Sequence, residues 1–253
     1  DADESGATIG GDWGTLSWAD GGDAQEVGQG DGLVVTVVTT GTTTPDYAGE
    51  EGIGGGTIGY SNSIGGIDFG AGMTNGGATS KADETSFGVG YTAEVGGGAT
   101  VTVGYSVGTT SADNSSAVGL STKENSLNGT VTVGDVSFGF ARNTKVTEMN
   151  TPDNSTDYRN LEDYNSNNLS ISYAISDSLS ISAESVAAKG DQGNSTGSGL
   201  ETDYKYDRTS YGLDYTIASG VALTASYSDY TQAGTNSTAV SGSSTMVRVK
   251  VSF

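Results

Sequence analysis

The chain has 253 residues, with 31 Asp+Glu against 10 Lys+Arg and a formal net charge of −21. Only 45 residues are Val, Leu, Ile or Phe, while 41 are Gly. Such a composition excludes a water-soluble globule with a thick aliphatic core, and reads as disorder unless the few apolar residues are ordered along the chain. Cys and His are both absent, which removes disulfides, thiolate and imidazole metal ligands and any Ser-His-Asp arrangement. So acidic a chain also repels nucleic-acid backbones.

The apolar residues are ordered, with period two. In chain order, the parity flips between Ile9 and Leu16/Trp18. That flip places a turn near 10–13 and makes 7–10 the end of an earlier strand. The first full strand is 14–18. Segment 19–52 follows, with Asp20, Asp23, Glu26, Asp31, Asp46, Glu50 and Glu51 and no Lys or Arg. Its apolar run 33–38 either packs the segment against a wall or forms a strand of its own. Strands are predicted at 53–61 and 66–73, then at 85–93, where Phe87, Val89, Tyr91 and Ala93 alternate with Ser86, Gly88, Gly90 and Thr92. In 98–107, Ala99, Val101, Val103, Tyr105 and Val107 oppose Thr100, Thr102, Gly104 and Ser106. Strands 124–133 and 135–142 come next. The second ends on Arg142, a charge on the apolar parity that suits an interface from which it can snorkel. The series closes with 166–174, 178–187, 207–216, 221–230 and 245–253. These are twelve full strands, each with one apolar face. No segment carries a helical period, and no apolar run is long enough for a transmembrane helix. The chain begins Asp1-Ala2-Asp3-Glu4 without a signal peptide, so it reads as mature or truncated sequence.

The connections alternate between short (62–65, 94–97, 134, 175–177, 217–220) and long (19–52, 74–84, 108–123, 143–165, 188–206, 231–244). Hairpins whose two ends face different compartments have this pattern, as transmembrane barrels do. Several strands reach nine or ten residues, enough to cross a bilayer core when tilted. Tyr60, Tyr91, Tyr173 and Tyr215 precede short turns, and Phe253 ends the chain. Trp18, Tyr105 and Tyr227 are expected at the opposite strand ends. All share the apolar parity and form two interfacial girdles.

Two stretches carry a family likeness. The terminal strand Val247-Arg248-Val249-Lys250-Val251-Ser252-Phe253, and Gly11-Asp12-Trp13-Gly14-Thr15-Leu16-Ser17-Trp18 leading into a long loop, resemble the general diffusion porins of Gram-negative outer membranes, particularly the alphaproteobacterial type. The likeness implies an all-β transmembrane antiparallel barrel of sixteen strands, about twelve of them complete in this chain, which forms a single domain, 1–253. It implies that 19–52 folds into the pore as a constriction whose acids face basic wall residues. Ala19 stands where the family usually has Gly. It implies that Val249, Val251 and Phe253 belong to the signal read by the outer-membrane assembly machinery. The other implied partners are outer-membrane lipid and lipopolysaccharide and, in a homotrimer, further copies of the chain.

The inward parity is Ser, Thr, Gly and Asn with few charges: Asp68, Glu184, Arg208, Asp214, Arg248 and Lys250. Such a wall is wet and suits a channel for small hydrophilic solutes. The net charge favours cations. No resident cofactor is expected, although Asp20/Asp23/Glu26 and Glu50/Glu51 have the oxygen ligands Ca²⁺ takes. Nothing organises a catalytic centre, so an enzyme is not expected. The alternatives are a twelve-stranded substrate-selective or adhesin-type barrel and a secreted acidic β-solenoid.

Overall fold

The computed structural model describes residues 6–19, 58–74, 83–112, 119–150, 159–192, 202–234 and 237–252. They form thirteen strands: β1 (Gly6–Gly11), β2 (Gly14–Ala19), β3 (Ile58–Ile64), β4 (Ile67–Thr74), β5 (Asp83–Val95), β6 (Ala99–Ala112), β7 (Gly119–Val133), β8 (Val136–Asn150), β9 (Arg159–Ser176), β10 (Leu179–Gln192), β11 (Thr202–Ala218), β12 (Val221–Gly234) and β13 (Ser237–Val251). All belong to one sheet in chain order, and every neighbouring pair is antiparallel, as in β1 with β2 and β12 with β13. This is the meander of an up-and-down barrel, not the stacked coils of a solenoid. It also has one strand more than a twelve-stranded barrel. Among the described residues β1 and β13 have one neighbour each and are the edges of the sheet.

Period two dictates this sheet. Because the register pairs like parity with like, the apolar residues of each strand meet those of the next. One row runs Ile9–Leu16–Tyr60–Ala71–Phe87–Val107 across six strands. A one-residue slip anywhere would turn a whole strand's apolar set to the wrong face. The parity flip near 10–13 proves to be the Asp12–Trp13 turn, so the short stretch before it is a strand, β1, paired along its length with β2.

Seven strands run five or more residues past their expected limits, β6 to Ala112 and β10 to Gln192 among them. β7 begins at Gly119 instead of 124, β8 continues to Asn150 instead of 142, and β9 starts at Arg159 instead of 166. β11 starts at Thr202 and β13 at Ser237. β3 ends at Ile64 rather than 61, so the turn is only Gly65–Gly66, and β5 runs through Glu94 to Val95, which the sequence assigned to a turn. Much of what read as long connection is therefore strand. The reason is physical: these extensions are mostly polar, with scattered apolar residues such as Val146, Tyr164, Tyr206 and Val240 and no sustained alternation, while the backbone ladder continues. The apolar run 33–38 lies outside the described residues.

The short turns depend on glycines in the left-handed region, where other residues are strained. Gly134 (φ 56°) turns β7 into β8 and Gly220 (φ 77°) turns β11 into β12. At the latter the Gly220 carbonyl also accepts a bond of 2.7 Å from the Ser252 amide, which ties the end of the chain to the turn.

Within strands, glycine has another use: it leaves a seat for an aromatic ring on the adjacent strand. Gly129 pairs with Phe140, Gly190 with Tyr164, and Gly242 with Tyr230. A Cβ at Gly129 would stand 2.7 Å from the Phe140 ring, and one at Gly242 would stand 2.8 Å from the Tyr230 hydroxyl. At Gly190 the Tyr164 ring already occupies the Cβ position. Gly190→Val is therefore expected to destabilise the barrel by about 1–3 kcal/mol through overpacking. Adding Tyr164→Ala should recover part of the loss. Urea unfolding followed by tryptophan fluorescence in detergent micelles checks both.

Candidate pore wall and membrane face

The sheet is inverted relative to a water-soluble protein. Its large apolar side chains are exposed, among them Trp18 and Val247 at 64%, Ile9, Ile67, Val103, Leu169 and Ile217. The buried set is small and mostly polar: Ser166, Asn168, Glu184, Arg208, Ser210 and Ser228, with Val186, Ala188, Tyr164 and Tyr206. In β9 the alternation is complete from Asp163 to Ser170, with odd positions exposed or half-buried and even positions buried. One face therefore suits hydrocarbon and the other does not.

The exposed apolar face has two edges. Tyr91, Tyr173 and Tyr215 stand on it within five residues of the short turns, all exposed. Tyr60 is half-buried instead, because its hydroxyl donates to the Trp13 carbonyl at 2.6 Å and its ring stacks on Trp13 at 6.4 Å. The Asn62 amide donates to the same carbonyl at 3.0 Å and to the Tyr60 hydroxyl at 3.2 Å. Trp13 thus stands with Tyr60 at the short-turn end of the apolar face, a place that periodicity missed. It sits in a turn, where alternation has no meaning, and only its place at the same end as the tyrosines could have flagged it.

Trp18 is next to the end of β2. Tyr105 and Tyr227 are not at strand ends as expected; each is the seventh residue of a 14-residue strand. They nevertheless mark an edge. Above them the same face changes to Thr109 and Ser111 on β6 and to Asp229 and Thr231 on β12. Arg142 lies on this line, exposed and paired with Leu127 and Asn167. From Ala99 to Val107 the apolar face spans eight steps, about 20 Å of membrane depth for tilted strands. The remaining length of β6–β13 stands clear of the band. At the terminal strand Val249 and Val251 are exposed on the apolar face, and Phe253 lies outside the described residues.

On the other face, Glu184 and Arg208 form a buried ion pair with the Arg208 Nη2 2.9 Å from the Glu184 Oε1, side chains 1% and 3% exposed. Glu184 shares its cross-strand row with Ser170, Ser210, Ser228 and Ser244, and the row below it presents Ser172, Ser182, Gly212 and Ser226. Ser228 and Ser210 bond to each other at 3.0 Å. Above it Tyr206 stacks on Tyr230 at 6.3 Å and packs with Val186 and Ala188. Asp214 accepts from the Thr224 hydroxyl at 3.0 Å. Asp68, Arg248 and Lys250 are on the same inward parity and exposed.

Two consequences alter the expected wall. Arg208, expected to face acids of 19–52, has its counter-charge on the neighbouring strand of the wall itself. A second pair, Lys145–Glu124 at 3.4 Å, about a quarter exposed, was not foreseen. It lies beyond Arg142 on β8, where the apolar alternation stops and no strand was expected. Asp20, Asp23, Glu26, Asp31, Asp46, Glu50 and Glu51, including the pairs considered for Ca²⁺, lie outside the described residues. Among the described residues no group of three or more acidic side chains is placed to hold a metal.

No protein-family model matches this chain, and no curated protein matches it in sequence. Solved structures do resemble it. Outer-membrane expressed OmpT of Vibrio cholerae superposes with a TM-score of 0.60 at 14% identity, over 98% of this chain and 80% of that one. The trimer form of in-vitro folded OmpT of the same organism gives 0.61 at 15%, over 96% and 78%. The anion-selective porin from Comamonas acidovorans gives 0.58 at 14%, over 98% and 76%. At these identities the likeness establishes the fold, which is that of an outer-membrane β-barrel.

The Glu184–Arg208 pair has a measurable signature. Arg208→Met leaves a buried, uncompensated carboxylate and is expected to reduce stability by about 3–5 kcal/mol. The double variant Arg208→Met/Glu184→Leu should lose far less than the single variants together. A double-mutant cycle by urea unfolding measures the difference.

Proposed function

We propose that this chain is the greater part of a porin in a Gram-negative outer membrane, a water-filled barrel through which small hydrophilic solutes and ions diffuse passively. One observation carries this reading: the outward face is exposed and apolar over a band of membrane depth, while the inward face is lined by Ser, Thr, Gly and a few charges. A sheet with that arrangement satisfies its surroundings only with hydrocarbon outside and polar groups or water inside. The open edges of β1 and β13 must also be joined in lipid, and the sixteen-strand expectation supplies three strands to join them.

An apolar groove of about 590 Å³ on the outward face, between Ile171, Tyr173, Ile181, Ala183, Tyr211 and Tyr227, suits the acyl chains of membrane lipid. Arg142 at the upper edge of the band suits an anionic headgroup, such as a phosphate of lipopolysaccharide. The exposed Val247, Val249 and Val251 fit the terminal signal for the assembly machinery. A homotrimer of alphaproteobacterial type follows from the family resemblance, and one resembling structure is itself a trimer. In this reading the chain is not an enzyme. The wall carboxylates Glu124, Glu184 and Asp214 already have partners in Lys145, Arg208 and Thr224.

The net charge of −21 favours cations by raising their local concentration, opposite to the selectivity named for the Comamonas acidovorans porin. The segment 19–52 is the constriction in this proposal, and its acids supply much of the preference. The purified protein in planar bilayers under a salt gradient is expected to give a reversal potential of cation-selective sign. Neutralising Asp20, Asp23 and Glu26 together should lower the cation-to-anion ratio. Anion selectivity in the unaltered protein would overturn the charge argument, and an unchanged ratio in the triple variant would remove those acids from the constriction.

A further inference from the structure

At the short-turn end the inward charges of β4 and β5 are acidic and those of β13 are basic. Asp68 is the second residue of β4 and Glu94 the second-last of β5, both inward and exposed. Asp12, Asp135 and Asp177 occupy the β1–β2, β7–β8 and β9–β10 turns and are exposed. The only described cations at this end are on β13. Lys250 is its second-last residue and Arg248 lies two positions higher, both inward and exposed. Neither makes an ion pair with a described carboxylate, whereas Arg208 and Lys145 do. The nearest acid by register is Asp214, two strands from Arg248 in the same cross-strand row, and it is held by the Thr224 hydroxyl that stands between them.

β4 and β5 are nine and eight strands from β13. When a sheet of this size closes with a few added strands, that separation puts the two groups on opposite halves of the wall. Lys250, Glu94 and Asp68 are each one residue from the short-turn end of their strands, so they stand at matching depth.

We propose that the short-turn mouth is a second charge filter, separate from the acidic segment 19–52, with an anion-binding lane formed by Arg248 and Lys250 opposite a cation lane formed by Asp68 and Glu94. The anion lane takes small solutes bearing a carboxylate or similar oxyanion. Two cations on alternate residues of one strand lie about 7 Å apart along it. An anion can therefore pass from one to the other, and the bidentate fork of Arg248 suits a carboxylate. A pore with a strong overall preference for cations keeps in this way a path along which small anions are not repelled. The proposal rests on the closed, water-filled barrel proposed above.

The absence of Cys permits a test that needs no ion current. Ala222 pairs with Lys250 on the inward face, and Thr92 lies two residues from Glu94 on the same parity. Ala222→Cys and Thr92→Cys variants, folded and heat-modifiable on gels, are labelled with sulfonate-bearing and trimethylammonium-bearing methanethiosulfonates, and the rates are followed by intact mass. The ratio of sulfonate to trimethylammonium rate is expected to be at least threefold higher at position 222 than at 92, a difference on the scale of one or two nearby charges in water. In the Ala222→Cys background, Arg248→Gln with Lys250→Gln should abolish that excess. Equal ratios at the two positions, or an excess at 222 that survives the double substitution, would overturn the proposal. If the excess is present and depends on Arg248 and Lys250 while the protein carries no current in bilayers, the lane stands and the diffusion reading fails.

Discussion

Inside hydrocarbon a backbone N–H or C=O has no water to fall back on, and each unpaired group is costly enough to forbid open structure. Since the described residues form no helix, that constraint leaves a hydrogen-bonded sheet whose outer face is apolar. Most other features follow from it. The strict register keeps Ile9, Leu16, Tyr60, Ala71, Phe87 and Val107 on one face. Tight glycine turns such as Gly134 and Gly220 return the chain with the ladder unbroken. The aromatic residues gather at the two edges of the band, where an amphipathic ring has both its surroundings.

The inward face obeys a different rule. A buried charge needs a partner, and the wall supplies its own: Glu184 for Arg208, Glu124 for Lys145, Thr224 for Asp214. Serine fills the rows between, giving a surface of small hydroxyls that bond to one another, as Ser210 does with Ser228. Bulk enters where small residues make room, with Tyr164 over Gly190, Tyr230 over Gly242 and Tyr206 beside Ala188. The abundance of glycine and the scarcity of aliphatic residues therefore have one cause. Apolar side chains coat a single face over part of each strand, and nothing aliphatic is needed to fill an interior.

This explains how much was legible in the sequence. Inside the band, alternation reports burial directly, and the placement of Tyr91, Tyr173, Tyr215 and Val247 on the apolar face and of Glu184, Arg208 and Lys250 opposite them was readable by parity alone. Outside the band both faces are mostly polar and carry no sustained alternation. β8 beyond Arg142 and β9 before Ser166 then looked like loop, although the strands run 15 and 18 residues, to Asn150 and from Arg159. Tyr105 and Tyr227 were assigned to strand ends for the same reason: the end of the hydrophobic signal was mistaken for the end of the strand. Side-chain pairing was not legible either. The Glu184–Arg208 contact is diagonal between neighbouring strands, and it depends on a register that no single strand encodes. The sorting of charge at the short-turn end needed the whole sheet, since Asp68 and Lys250 are 182 positions apart in the chain.

The central claim is that one face of this sheet meets lipid over a limited depth and that the strands continue beyond it. Single Cys substitutions along β6, from Ala99 to Ser111, each carrying a nitroxide label in reconstituted vesicles, test it directly. The account expects collision with lipid-soluble oxygen to alternate with period two from Ala99 to Val107, maximal at 99, 101, 103, 105 and 107. From Thr109 to Ser111 a water-soluble nickel complex should reach both parities. An alternation that continued to Ser111, or a uniform response to the nickel complex from Ala99 onward, would contradict it.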